Sequence, residues 1–166
     1  MGFLDSKIKV LPNGREVLQM PDSVNFAFVT KDKHLLLASQ FRASNQQESL
    51  NLFGGYVEDG ENFTETLYRE MLEESNVSKD DVDRIHYIFL EKYVSMGYTT
   101  ERNTTCVVYL NKWLRELDIR CNDEDENIKI FHTFIDKKNI MKIYKKCEGL
   151  KLHLVLTYLL DALQYE

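Results

Sequence analysis

The sequence predicts a fold that mixes helices and strands, either α+β or a sandwich built on a mixed sheet. Three observations carry this. Short apolar runs of strand length recur along the chain, at residues 24–30, 34–41, 85–93, 104–110 and 128–135. Longer runs with helical spacing fall at 62–75, 137–146 and 150–165. The two kinds interleave without strict strand–helix–strand alternation, which leaves α+β and a mixed-sheet sandwich as the candidates.

Each element has a local reason. The stretch LPNGRE, residues 11–16, carries an Asn-Gly pair, the strongest short hairpin signal, so a short N-terminal hairpin is expected at about 6–21. VNFAFVT and HLLLASQF then read as strands joined by the turn KDK, and the polar residues 45–48 read as loop. Residues 50–57 are apolar with two glycines and form a short strand or turn. Asn62 can cap the next helix, with Glu65 completing a capping box, and Phe63, Leu67 and Met71 make one apolar stripe. After two further strands, residues 122–127 form an acidic loop. One more strand and two helices close the chain. With 166 residues and no linker or repeat, the whole chain reads as one domain, its core at about 22–166.

Bulk properties narrow the function. Apolar residues make up 43% and charged residues 29%, as in globular proteins, and the net charge of -6 argues against a general nucleic-acid binder. Cys106, Cys121 and Cys147 are widely spaced and odd in number, which reads as buried reduced thiols rather than a disulfide framework. No apolar run reaches the ~18 residues of a membrane span, and no signal peptide is evident. MGFLDS fits the loose myristoylation pattern and is taken as coincidence. A cytoplasmic location is the expectation.

The stretch GGYVEDGENFTETLYREMLEESNV crowds carboxylates around a single arginine, Arg69. Glu70, Glu73 and Glu74 stand at helical spacing i, i+3 and i+4, so they share one face, and Arg69 can reach Glu73. Such like-charge pairs cost a few tenths of a kcal/mol each on an exposed helix. The cost approaches ~4 kcal/mol at ~4 Å and an effective dielectric of 20. Divalent cations would offset it, and hard oxygen donors suit Mg²⁺ or Mn²⁺. A solvated acidic face is the plainer alternative.

The order Gly55, five residues, Glu61, seven residues, Arg69, Glu70, two apolar residues, Glu73, Glu74 resembles the signature of the Nudix hydrolases. That resemblance implies the Nudix α/β/α sandwich and cleavage of a nucleoside diphosphate linked to another moiety. It implies that the Gly54 carbonyl, Glu70 and Glu74 hold Mg²⁺, with Mn²⁺ as the alternative ion, that Glu73 is a further ligand or the catalytic partner of a metal-bound water, and that Gly55, Glu61 and Arg69 order the loop and helix. Asn76 stands where the family has a late glycine, and Asn tolerates the left-handed conformation needed there.

Outside this box, LPNGRE, SQFR (residues 39–42), MGYTTER (residues 96–102) and DEDENIKI (residues 123–130) resemble segments of the ADP-ribose and ADP-sugar pyrophosphatases. This second resemblance implies Glu124 as general base or water-positioning acid, with Glu126 as fallback. It implies Glu101 at the substrate or at a metal-bound water, the alternative being an ion pair with Arg102 or a lysine. Arg42 would bind a phosphate oxygen through its fork of donors, and Phe41 and Tyr98 would frame the nucleoside. Asn51, Phe53 and Met96 depart from that branch's pattern. The expected reaction is conversion of ADP-ribose or a related nucleoside diphosphate sugar to AMP and a sugar phosphate, in a monomer or homodimer. The alternatives are a (d)NTP house-cleaning pyrophosphatase and a non-catalytic nucleotide-sugar sensor.

Overall fold

The computed structural model describes residues 7–42, 46–122 and 127–165. The chain begins with a hairpin, β1 (Ile8–Val10) and β2 (Glu16–Leu18), in register Ile8↔Leu18. Gly14 takes φ +79 in its turn, the backbone state the Asn-Gly pair predicts. The hairpin is tied to the body by Leu18, whose N–H donates to the Tyr98 carbonyl at 2.8 Å.

The main sheet holds β3 (Ser23–Val29), β4 (His34–Arg42), β5 (Gln47–Asn51), β6 (Val82–Tyr93), β7 (Arg102–Leu110) and β8 (Lys129–Phe134). Its order is β5-β4-β3-β7-β6, with β8 paired to β4. Strands β3 and β7 run parallel from Ser23↔Asn103 to Val29↔Tyr109, while β3–β4, β4–β5, β4–β8 and β6–β7 are antiparallel. The sheet is therefore mixed, as the sequence predicts. One edge of β4 serves β3 and then β5, because Leu36 and Ala38 each also pair with β8 on the other edge.

The helices are α1 (Phe63–Ser75), α2 (Lys137–Tyr144) and α3 (Leu150–Ala162). Side chains alternate along β3, so the strand feeds both faces. Val24, Phe26 and Phe28 pack with Leu67 and Met71 of α1. Ala27 and Val29 pack with Ile140 of α2 and with Leu152, Val155 and Leu156 of α3. This is the expected three-layer sandwich. Residues 47 and 48 depart from the loop expected at 45–48. They open β5, where Arg42↔Gln47 and Phe41↔Glu48 pair across a tight connection. An exposed outer strand accepts polar residues, so its polarity hid it.

Candidate active site

Two close approaches explain the paired glycines. After β5 the chain leaves β4 and pairs with β3: Phe26 N–H donates to Phe53 O at 2.8 Å, Val24 N–H to Gly55 O at 2.9 Å, and Val57 N–H to Asp22 O at 2.8 Å. Gly54 takes φ +134, and a Cβ there would lie 1.9 Å from the Val24 carbonyl oxygen. A Cβ on Gly55 would lie 2.0 Å from Oε1 of Glu70. One glycine lets the loop lie against backbone, and the other lets it lie against a carboxylate.

Helix α1 presents that carboxylate. Asn62 Oδ1 accepts from Thr64 N–H at 2.9 Å and Glu65 N–H at 3.1 Å, and Glu65 returns the bond to Asn62 N–H at 2.8 Å. The far end closes at Asn76, at φ 58, as expected for a left-handed cap. Asn76 also bonds sideways, donating to Asp118 O at 2.9 Å and accepting from Asn122 Nδ2 at 3.0 Å. A glycine could make neither side-chain bond.

Glu70 and Glu74 are buried beneath the loop, at 8% and 5% exposure. Oε2 of Glu74 accepts the Gly54 N–H at 2.6 Å. Glu73 stands at the rim, its side chain 46% exposed. Arg69 gathers the group. Its Nε and Nη2 grip Glu61 at 2.9 and 3.0 Å, Nη1 reaches Glu70 at 2.7 Å and Glu73 at 3.0 Å, and Nη2 holds the Tyr56 carbonyl at 3.0 Å. The hydrogen bonds from Arg69 pull the Glu61 carboxyl down to about 2, helped by the Thr66 hydroxyl and the Glu58 N–H. The same contacts push the Arg69 guanidinium above its ordinary range.

The donors here are hard carboxylate and backbone oxygens, which fit Mg²⁺ or Mn²⁺. Among the described residues, no three His, Cys, Asp or Glu side chains converge as a metal cage. Mg²⁺ does not require one, since it usually takes one or two carboxylates and completes its shell with water and substrate phosphate.

Glu101 lies at the same end of the sheet on the opposite, α3 face. Its side chain is 14% exposed and accepts a 2.5 Å bond from the Ser23 hydroxyl. Its cationic neighbour is Lys151, at 3.8 Å. Arg102 instead grips Asp22 and lies 3.0 Å from Glu91. Burial, then the Glu101 charge, raises the Tyr56 phenol. Lys151 also donates to Asn25 Oδ1 at 2.8 Å, and Asn103 Nδ2 bonds Asn25 Oδ1 and the Ser23 hydroxyl at 2.8 and 2.6 Å. Burial lowers the Lys151 ammonium, and Glu101 pushes it back up. This network escaped the sequence reading. Asn25 inside an apolar strand was the available signal, whereas Lys151 carries none.

A cleft opens beside this network. One hollow of about 350 Å³ is lined by Asn25, Arg42, Asn51, Val94 and Lys151. It shares Val94, Leu150 and Lys151 with a second hollow of about 290 Å³ bounded by Phe89, Tyr93 and Leu154. Arg42 thus reaches the cleft. Phe41 and Tyr98 do not line it, and are 61% and 79% exposed. A hollow of about 410 Å³ lies at the other end of β3, by Val29, Arg84 and Tyr109, away from the glycine loop. Glu124 and Glu126 lie outside the described residues. Asn122, just before them, is pinned to the end of α1, its N–H donating to Glu73 O at 2.7 Å.

Residues 20–142 match the family model described as NUDIX domain. A Bacillus subtilis (strain 168) protein named ADP-ribose pyrophosphatase is 27% identical over 131 residues, covering 76% of this chain and 67% of that protein.

Proposed function

The chain belongs to the Nudix family, and from that premise we propose that it is a divalent-metal-dependent pyrophosphohydrolase that cleaves ADP-ribose, or a close nucleoside diphosphate sugar, to AMP and a sugar phosphate. The observation that supports this most is the burial of Glu70 and Glu74 beneath the Gly54–Gly55 loop, with Arg69 clamping Glu61, Glu70 and Glu73. The name of the Bacillus subtilis relative supports the substrate.

Glu70, Glu73, Glu74 and the Gly54 carbonyl would hold Mg²⁺, with Mn²⁺ as substitute. When bound, such ions neutralise diphosphate charge and acidify a water. The chain does the rest by positioning. Arg69 fixes the angle of α1 against the loop through five hydrogen bonds. The Gly54 N–H fixes one oxygen of Glu74. Glu124 takes a proton from the attacking water or aligns it, and Glu101 holds the substrate side of the cleft. Arg42 binds a phosphate oxygen at that cleft, and Phe41 and Tyr98 contact the nucleoside from the rim.

A cytoplasmic location is part of this reading. Cys106, Cys121 and Cys147 are free thiols, and among the described residues no helix is long and apolar enough to cross a membrane. A homodimer is also part of it, since Tyr87, Leu90 and Tyr93 of the outer strand β6 are exposed. Light scattering tests that, and a monomeric mass would refute it.

A product assay tests the substrate. ADP-ribose, other nucleoside diphosphate sugars, dinucleoside polyphosphates and (d)NTPs are compared with Mg²⁺. AMP and ribose 5-phosphate from ADP-ribose at the highest kcat/KM is the expected result. Preferred release of pyrophosphate from a (d)NTP would overturn the substrate while leaving the family chemistry in place.

A further inference from the structure

We propose that Lys151 is a substrate-binding cation whose ammonium takes a phosphoryl oxygen of the nucleotide, with Arg42 facing the same cleft as its second arm. The inference rests on reading the chain as a nucleotide pyrophosphohydrolase and adds a residue that this reading did not contain.

The first support is the sign of the cleft. The protein is acidic, with a net charge of -6. Yet the charged side chains lining the two hollows that share Lys151 are Arg42, Lys92 and Lys151, all cations, with the Glu101 carboxylate set behind the lysine. The carboxylates that dominate the box lie on the α1 face, so the α3 face supplies positive charge to an anion that spans both. Asn25 and Asn51 amides line the same hollow, and neutral donors of that kind suit phosphoryl oxygens.

The second support is the cost of placing a lysine there. Lys151 is the second residue of α3, where the helix dipole disfavours a cation. Its side chain is only 32% exposed, so it is largely desolvated as well. The fold nevertheless aims the ammonium at Asn25 rather than letting it extend into water. An ammonium has three donors. Asn25 takes one at 2.8 Å, and Glu101, at 3.8 Å, is a charge partner beyond hydrogen-bond distance. Donor capacity therefore remains for a ligand in the hollow. Burial works against the ammonium's charge and Glu101 works for it, and Glu101 is itself held by the Ser23 hydroxyl, so it acts as a positioning residue for the lysine.

The test uses binding without turnover. Wild type, Lys151→Met and Lys151→Arg are titrated calorimetrically with AMP, adenosine and inorganic phosphate in the presence of a chelator. Wild type should bind AMP more tightly than adenosine, with an affinity that falls as salt rises. Lys151→Met should weaken AMP about tenfold or more, as loss of a charge-assisted bond does, and flatten the salt dependence. Adenosine affinity should stay within about twofold, and Lys151→Arg should retain most of the AMP preference. Lys151→Gln keeps a polar partner for Asn25 and carries the test if the Met variant does not fold. Equal weakening of AMP and adenosine would overturn the proposal, as would unchanged AMP binding or a wild type that binds neither. Turnover separates the two claims. Preference for (d)NTPs would sink the ADP-ribose reading and leave Lys151 standing. ADP-ribose hydrolysis with an unaltered AMP affinity in Lys151→Met would sink Lys151 alone.

Discussion

Replacing Gly55 by alanine should destroy activity while leaving the protein folded. The new Cβ would lie 2.0 Å from Oε1 of Glu70, 2.5 Å from Cδ and 2.8 Å from Oε2. An ordinary contact needs about 3.4 Å, so the carboxylate must retreat by more than about 1 Å. The obstacle is the end of a side chain, which can rotate, so stability should fall by no more than about 1 kcal/mol, or roughly 2–4 °C in Tm. Catalysis is less forgiving, since a displacement of about 1 Å at a reacting centre costs about 10²-fold. Gly54→Ala supplies the contrast. Its Cβ would meet Val24 backbone at 1.9 Å, at φ +134. Strain of about 1–3 kcal/mol adds to that clash, and stability should fall by roughly 3 kcal/mol or more. The assay is kcat on ADP-ribose with Mg²⁺, beside thermal melting of each variant. A Gly55→Ala enzyme with wild-type turnover would refute the placement of Glu70 at the reacting centre.

The other predictions concern the arginine clamp and the metal. Arg69→Lys keeps the charge and loses the fork, leaving Glu61, Glu70 and Glu73 without their shared partner; stability should fall by roughly 2 kcal/mol, read from denaturant midpoints, and an unchanged midpoint would refute the clamp. The Glu61 carboxyl titrates at about 2 in the fold, below its ordinary 4.5. Its stabilisation is therefore complete above about pH 4.5 and is lost as pH falls toward about 2, so Glu61→Gln should flatten Tm against pH across that window. A divalent ion at 100 times its Kd should stabilise the wild type by about 2.7 kcal/mol, roughly 5–10 °C, and a Glu70→Gln, Glu74→Gln double variant should lose most of that shift.

Much of this architecture was legible in the sequence because its causes are local. The Asn62–Glu65 capping box and the 70, 73, 74 spacing both act within a few residues, and α1 forms where they predict. The Asn-Gly turn likewise gave the hairpin. What escaped is tertiary. Lys151 and Asn25 are 126 positions apart and meet only because α3 packs over β3. Of the two ion-pair partners the sequence offers Glu101, Arg102 or a lysine, the fold brings Lys151 to 3.8 Å, while Arg102 binds Asp22. Phe41 of SQFR, in β4, pairs with Glu48 of β5 and is 61% exposed, so its side chain lies outside the core. At Gln47 and Glu48 polarity suggested loop, although an outer strand needs apolar residues on neither side.

The most direct measurement is ADP-ribose turnover by wild type and Glu74→Gln, each with Mg²⁺ and again with excess EDTA. The account predicts AMP and ribose 5-phosphate from wild type with Mg²⁺ alone. It predicts a kcat lower by about 10²-fold or more for a folded Glu74→Gln, and no turnover under EDTA. Wild-type rates from Glu74→Gln, or turnover that survives EDTA, would contradict the claim that the carboxylates beneath the glycine loop carry the chemistry.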